Sequence, residues 1–312
     1  MMVSGIDPRL LDPGLKSIIK KAIPKSVLYS SWGVFSRWKT RKARKVFERA
    51  PEAPAWLGLD LLELLQKQYP FPGEYGYDPE ALERRGEKWS NEILDLVRPH
   101  RDGAFLELGC WDGMVSCCLQ RRGFRATAID NRSEGFDERA KREGVRLLQM
   151  DAARLALDDE SFDCVFSYDA FEHFADPGLV LQEAVRVAKR GGYIYLVFGP
   201  LYMSSMGLHA YRSITVPYCQ FLFTRELLED FVHAKGLMPI DFGQVNGYTL
   251  EEFRQILNRY SSVLRRIRYY EIPEVRHIDL IKKFPSCFKS KTTCFDNLIV
   301  SSIEVLFKKI AY

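Results

Sequence analysis

The sequence of 312 residues has no long hydrophobic run and no C-x-x-C pair of cysteines. Its longest apolar run, residues 193–203, contains Gly199 and Pro200 and is too short to span a bilayer. The stretch from Met1 to Pro13 lacks the apolar segment of a secretory signal. The seven cysteines are odd in number and lie among apolar residues, which argues against a disulfide framework and against a structural zinc site. These absences predict a cytoplasmic protein, soluble or bound peripherally to a membrane, that needs no metal.

The net charge is only +4, but it is unevenly distributed. Residues 1–50 contain 12 basic and 3 acidic residues, a net charge of +9, and the remaining residues contain 33 basic and 38 acidic residues, a net charge of −5. The spacing predicts a short amphipathic helix from Leu15 to Ile23, and three aromatic residues at positions 32, 35 and 38 adjoin the basic run Arg37 to Arg49. This pattern fits contact with the anionic inner face of a membrane, but a solvated basic helix is the favoured interpretation. No specific nucleic-acid motif accompanies the charge.

The pattern along the chain predicts two domains. Residues 1–98 are expected to form a basic helical extension, and residues 99–312 an α/β domain in which strands alternate with helices, as in a doubly wound parallel sheet. Two insertions, 201–224 and 245–291, are expected to form a lid over the site where an acceptor substrate binds. The predicted strands are Ala104–Leu108, Arg125–Asp130, Val145–Met150, Asp163–Tyr168, Tyr193–Phe198, Met238–Gln244 and Asn297–Phe307. The predicted helices are 59–68, 79–98, 114–122, 137–143, 177–190, 224–234 and a long one from Thr249 to Tyr270.

The first predicted strand ends in a glycine turn that contains Gly109 and Gly113. Such a turn lets a ligand approach the backbone at the carboxyl edge of a parallel sheet. A dinucleotide site would require further glycines at the positions of Trp111 and Met114, so an NAD site is disfavoured. The acidic residue Glu107 would repel a pyrophosphate and suits a ligand with an ammonium group.

Acidic residues also end the next strands. Asp130 follows Gly109 by 21 positions, the spacing expected for a carboxylate that binds a ribose diol. Asp151 can accept a hydrogen bond from an exocyclic amine such as that of adenine. Each acid alone could instead be a helix N-cap. Their common place at the carboxyl edge favours a ligand site.

With these residues in view, the stretch 104–198 resembles the class I S-adenosylmethionine-dependent methyltransferases, in particular their type 11-like small-molecule branch. The match includes Glu107-x-Gly109-x-x-x-Gly113, Asp130, Asp151-Ala152 and the fourth-strand segment 162–177. The resemblance implies a Rossmann-like sheet of seven strands in the order 3-2-1-4-5-7-6, with the last strand antiparallel and residues 238–244 as its sixth strand. Trp111 departs from the family, which most often has glycine there. The cofactor-binding residues that the resemblance implies are Glu107, Gly109, Cys110, Trp111, Gly113, Asp130, Asn131, Asp151, Ala152, Tyr168 and His173.

The acceptor is expected to contact segments that cover the carboxyl edge, namely 201–224 and the region from Tyr75 to Trp89. His209 is the candidate general base, because an imidazole can take the proton of a hydroxyl acceptor near neutral pH. A packed histidine in an aromatic loop is an equal alternative, and His173 is also expected to support the loop after the fourth strand. The segment 201–223 weakly resembles methyltransferases of glycan pathways.

The leading hypothesis is an enzyme, an S-adenosylmethionine-dependent methyltransferase that acts by in-line displacement on a small or glycan-linked acceptor, at a hydroxyl oxygen. The alternatives are a scaffold protein that kept the fold and the cofactor without turnover, and an NAD-dependent oxidoreductase, which Trp111 and Met114 disfavour.

Overall fold

A seven-stranded sheet with the order β3-β2-β1-β4-β5-β7-β6 forms the centre of the molecule. The computed structural model describes residues 25–69 and 76–311. Neighbours among β1 to β5 are parallel, and β7 is antiparallel to both β5 and β6. The predicted fold class, strand order and antiparallel last strand are therefore confirmed. The strands are β1 Ala104–Leu108, β2 Arg125–Asp130, β3 Arg146–Gln149, β4 Phe162–Tyr168, β5 Ala188–Phe198, β6 Leu264–Pro273 and β7 Val300–Lys309.

The helices begin where the sequence offers capping side chains. Asp78, Asp176 and Thr224 each accept a hydrogen bond from the backbone N–H three residues later, which satisfies one of the unpaired donors of a helix N-terminus. Over the described residues the helices are α1 Lys25–Arg49, α2 Leu59–Gln68, α3 Pro79–Val97, α4 Met114–Arg121, α5 Glu138–Arg142, α6 Pro177–Val187, α7 Cys219–Leu222, α8 Arg225–Ala234, α9 Leu250–Asn258, α10 Ile278–Lys283, α11 Pro285–Lys289 and α12 Phe295–Ile299. Among these, none is long and apolar enough to cross a membrane.

Three groups of buried side chains hold the layers together. One face of the sheet packs against α6 and α9, and the other packs against α3 and α4. A third cluster joins α1 and α2 to side chains from residues 208–232 and 275–299. The predicted amphipathic helix from Leu15 to Ile23 lies outside the described residues.

Two predicted elements are wrong. The predicted helix from Thr249 to Tyr270 is helical only as far as Asn258, and residues from Leu264 form β6 instead. The predicted sixth strand, 238–244, is a turn and irregular chain, since Pro239 and Gly243 interrupt it. Strand β6 supplies the missing neighbour of β7.

Smaller differences concern element ends. β5 begins at Ala188 rather than Tyr193, because residues after α6 already pair with β4 at Phe162. β7 begins at Val300 and follows α12, although the strand was predicted from Asn297. Neither difference moves the carboxyl edge of the sheet.

Candidate functional site

The glycine turn after β1 has the backbone shape that the motif predicts. Gly109 has φ +68, and a Cβ there would lie 2.6 Å from the Cβ of Ala170. Gly113, with φ +77, directly precedes α4 and donates its N–H to the carbonyl of Cys110 at 2.9 Å. Glycine is needed at Gly109 both for the left-handed conformation and for the close approach of the β4 loop. The turn therefore places the backbone of residues 109–113 at the carboxyl edge of the sheet, beside the ends of β2 and β4.

Trp111 adopts a left-handed backbone conformation in this turn. Its φ is +51, a left-handed value that costs a non-glycine residue about 1 kcal/mol. The indole points outward and is 52% exposed. The guanidinium carbon of Arg132 lies 3.7 Å from the centre of the Trp111 ring, and the Tyr77 ring centre lies 6.2 Å away. Trp111 is therefore part of the rim of the site rather than of its floor.

Asp130 lies at the end of β2, facing the glycine turn, and is buried. Its Oδ2 accepts the N–H of Trp111 at 3.0 Å, and its Oδ1 accepts the backbone N–H and Nε of Arg132 at 3.1 and 2.9 Å. Among the described residues, the buried Nη2 of Arg132 has no hydrogen-bond partner. A ribose hydroxyl beside Asp130 fits these groups, because Oδ2 accepts only one bond and can accept another, and the orphaned Nη2 of Arg132 can donate one.

Glu107 lies beneath the turn rather than in its opening. Its Oε2 accepts the hydroxyl of Ser116 at 2.6 Å and the backbone N–H of Ser116 at 3.1 Å. Burial raises the pKa of Glu107 to about 8, and the carboxylates of Asp112 and Asp130 add to the rise. The predicted contact of Glu107 with an ammonium group stays a prediction, and it requires the carboxyl to ionise when the cation enters.

The remaining residues of the predicted cofactor site occupy the same edge, and one of them has its side chain in the core. Asp151 is exposed, and its Oδ1 accepts the N–H of Ala153 at 2.9 Å, as in an Asx turn. Asn131 is exposed beside Asp130, whereas Ala152 and Cys110 are buried under the loops.

That residue is Tyr168. Its ring stacks on Trp89 of α3 with centres 4.3 Å apart, and its hydroxyl donates to the Trp89 carbonyl at 3.3 Å. Burial raises the pKa of this hydroxyl well above its usual value. The side chain of Tyr168, the last residue of β4, therefore lies in the core between the sheet and α3, in the same cluster as Cys110.

His173 and His209 come together on the other side of the edge. Their ring centres are 5.0 Å apart in an edge-to-face arrangement. His173 Nδ1 lies 2.6 Å from the carbonyl of Gln244, and His209 Nε2 lies 2.9 Å from the carbonyl of Pro200. Because a carbonyl only accepts, His209 carries its proton on Nε2, which leaves the Nδ1 lone pair free to accept a proton. Burial and the neighbouring His173 lower the pKa of His209 to about 4.

Glu172 is a site residue that the sequence interpretation did not assign. It is 1% exposed, and its Oε1 accepts the backbone N–H of Gly199 at 3.0 Å. Its buried Oε2 has no partner among the described residues. Burial and the nearby Asp169 raise the pKa of Glu172 to about 8. The available signal was its place in the fourth-strand segment 162–177, directly before His173.

A separate group outside the edge also has metal-ligand chemistry. The ligand atoms of Glu83, Glu87 and Cys118 lie within 4.8 Å of one another. However, Glu83 is ion-paired with Arg121 and Glu87 with Arg122. This group is therefore an ion-pair network between α3 and α4 rather than a candidate metal centre.

The comparison with known families agrees with this geometry. Residues 106–196, from β1 to β5, match the family model described as a methyltransferase domain. This part of the chain is a methyltransferase domain. It contains the glycine turn, Asp130, Asp151 and the Glu172-His173 pair, whereas His209 lies outside it.

The methyltransferase domain also accounts for the likeness to curated proteins. The ubiquinone biosynthesis O-methyltransferase of Parvibaculum lavamentivorans is 28% identical over 105 residues, which cover 32% of this chain and 42% of that protein. An uncharacterized methyltransferase of Mycobacterium tuberculosis is 32% identical over 120 residues, which cover 38% of this chain and 49% of that protein. The chain thus spans less than half the length of these two relatives.

Among solved structures, a SAM-dependent methyltransferase from Methanosarcina mazei has a TM-score of 0.45 and 18% identity. The superposition covers 70% of this chain and 98% of that protein.

Proposed function

We propose that this chain is an S-adenosylmethionine-dependent methyltransferase that methylates a hydroxyl oxygen of a small-molecule or glycan-linked acceptor. The observation that carries the proposal is the buried carboxylate of Asp130, which faces the glycine turn inside a methyltransferase domain. A carboxylate at the end of the second strand suits the diol of a nucleoside.

The residues at the edge divide the binding of the cofactor between them. Asp130 would accept from the ribose hydroxyls and Asp151 from the adenine amine, while the turn at Gly109 admits the methionine end close to backbone. When bound, the cofactor supplies an electrophilic methyl group on a cationic sulfur. Glu107, beneath the turn, provides a negative charge for the ammonium group once it ionises.

His209 is the proposed general base. Its lowered pKa keeps the ring neutral at physiological pH, and the bond from Nε2 to the Pro200 carbonyl orients Nδ1 as the proton acceptor. Pro200 follows the end of β5, next to Glu172, so the base is positioned at the same edge as the cofactor residues. A base with so low a pKa is most effective towards an acidic hydroxyl, such as that of a phenol, because proton transfer from an alcohol would be strongly uphill.

The nature of the acceptor is supported by the relatives. The name of the Parvibaculum lavamentivorans protein specifies transfer to oxygen in ubiquinone biosynthesis. We carry over to this chain only the class, a small molecule with a hydroxyl group, and we propose that the segment 201–224 contacts it.

Calorimetry with S-adenosylmethionine and, separately, with NAD tests the proposal. We expect micromolar binding of S-adenosylmethionine and no heat with NAD. Absence of S-adenosylmethionine binding would contradict the proposed function. A screen of phenol and sugar acceptors with methyl-labelled cofactor then distinguishes an enzyme, which transfers label, from a scaffold that binds the cofactor without turnover.

A further inference from the structure

Helix α1 has two sides of opposite character. Its inner side carries Ser36, Thr40, Ala43 and Phe47, which are all buried. The helical period of 3.6 residues places a second set within an arc of about 100° centred opposite them. We call this set the outer face of α1; it comprises Val34, Trp38, Arg41, Lys42, Lys45 and Arg49.

The helix is held firmly on the body of the protein. Trp32 Nε1 donates to the carbonyl of Pro273 at 2.9 Å, at one end of the contact. At the other end, the rings of Phe47 and Phe295 lie 5.4 Å apart and Arg44 forms an ion pair with Asp296 at 2.5 Å. The outer face therefore has a fixed orientation towards the surroundings.

The outer face combines exposed apolar side chains with unpaired positive charge. Trp38 is 73% exposed and Val34 is 70% exposed. Arg41, Lys42 and Lys45 form no ion pair with another described residue. Glu48, at the margin, is the one acidic residue of the helix.

We propose that the outer face of α1 docks on an anionic lipid surface. Basic side chains contribute favourable energy near anionic headgroups, and a tryptophan at the centre of such a face inserts its ring at the boundary between headgroups and acyl chains. Simple solvation of the helix does not account for Trp38, because exposure of an apolar ring to water is unfavourable. A nucleic acid would use the positive charge and could stack on the indole, but the aliphatic Val34 offers it nothing.

The docking has a consequence for the proposed reaction. Helix α1 packs on the third buried cluster, which includes Leu208, Ile214 and Val216 of the segment 201–224. A helix with its side chains is about 10 Å across, so docking through α1 brings that segment within about one helix diameter of the lipid. This step, which rests on the proposed function, favours an acceptor that resides in or on the membrane.

Vesicle sedimentation of the full chain tests the docking. We expect binding to vesicles of phosphatidylcholine mixed with phosphatidylglycerol, weakening with salt, and little binding to phosphatidylcholine alone. Replacing Arg41, Lys42 and Lys45 together by Gln should weaken binding about 100-fold, since each charge contributes roughly fivefold near an anionic surface. Trp38→Ala should weaken it about tenfold, as expected for loss of a buried aromatic ring.

The matched control replaces three exposed arginines near the opposite edge of the sheet, Arg98, Arg101 and Arg190, by Gln. Equal loss of binding in this control would show non-specific attraction and overturn the proposal, as would equal binding of the wild type to both vesicle types. Binding of a DNA duplex but not of vesicles would replace lipid by nucleic acid. Calorimetric affinity for S-adenosylmethionine, unchanged in every variant, separates this result from the proposed function and shows that the variants fold.

Discussion

The carboxyl edge of the sheet has two halves that are built differently. In the half formed by β1, β2 and β3, Asp130 and Asp151 each accept the backbone N–H two residues later, and Asp130 also accepts the N–H of Trp111 from the glycine turn. In the half formed by β4, β5 and the segment 201–224, the partners lie further along the chain. Glu172 bonds to Gly199, and His173 to the carbonyl of residue 244.

The two halves also differ in charge. The carboxylate at the end of β2 accepts hydrogen bonds from two backbone N–H groups and from Nε of Arg132. In the other half, burial favours the neutral forms of both Glu172 and His209, since it raises the pKa of the acid and lowers that of the imidazole. The first half is thus suited to bind a polar ligand, and the second to hold or move a proton.

The largest effect should come from removing His209, the proposed base, from the second half of the edge. His209→Ala should lower turnover about 100- to 1,000-fold, the usual range for loss of a general base, and leave the affinity for S-adenosylmethionine unchanged. Because the pKa of His209 is about 4, turnover of the wild type should show no loss from this group until the pH falls below about 5. The measurements are labelled-methyl transfer and calorimetry.

Two further variants make this result interpretable. His209→Asn tolerates the positive φ of +57 at this position and should be equally impaired. His233→Ala, at an exposed histidine of α8, should retain full turnover. If both His209 variants turn over normally, the second half has no base at this position.

The next largest effect should come from the first half. Asp130→Ala removes the carboxylate that would accept from the ribose and leaves Arg132 unpaired, so we expect the affinity for S-adenosylmethionine to fall about 30- to 100-fold, or 2–3 kcal/mol. Calorimetry measures the loss. Asp230→Ala, at an exposed position of α8, is the matched control and should bind as the wild type does. Near-normal binding by the Asp130 variant would remove this residue from the cofactor site.

The contrast between the halves explains how far the sequence could be interpreted. The glycine turn and the ends of β1 and β2 were predicted because glycine and acidic residues mark them in the sequence itself. The helix predicted from Thr249 to Tyr270 was wrong because apolar residues continue at helical spacing through Val263 and Ile267.

What overrides that spacing is pairing with a distant strand. Residues of β6 hydrogen-bond to β7, more than 25 residues further along the chain. The sequence around Leu264 contains no pattern that identifies this partner strand. The same holds for the second half of the edge. The proximity of His173 to His209 and the burial of Glu172 depend on where β5 and the segment 201–224 return to the sheet. A pattern confined to a few residues cannot predict such contacts.

The smallest predicted effect is on the pH dependence of the free energy of unfolding, and it tests the difference in charge between the two halves. The pKa of Glu172 is raised to about 8 in the folded chain, above its unfolded value of 4.5, so between these values the folded state binds more protons. Stability therefore falls as pH rises through this window, by about 1.4 kcal/mol per pH unit for one such group. Glu172→Gln cannot ionise and should remove that slope, whatever its effect on absolute stability.

Urea unfolding between pH 6.5 and 7.5 measures this slope, and the contribution of His209, whose pKa in the unfolded chain is 6.5, is common to wild type and variant and cancels in their difference. Glu107 contributes a second slope of the same sign, because its pKa is also about 8, so the Glu172 variant should keep about half of the combined dependence. Glu226→Gln, at an exposed position of α8, should keep all of it. An undiminished slope in Glu172→Gln would mean that water or a counter-charge reaches Glu172, and that the second half of the edge does not favour neutral groups.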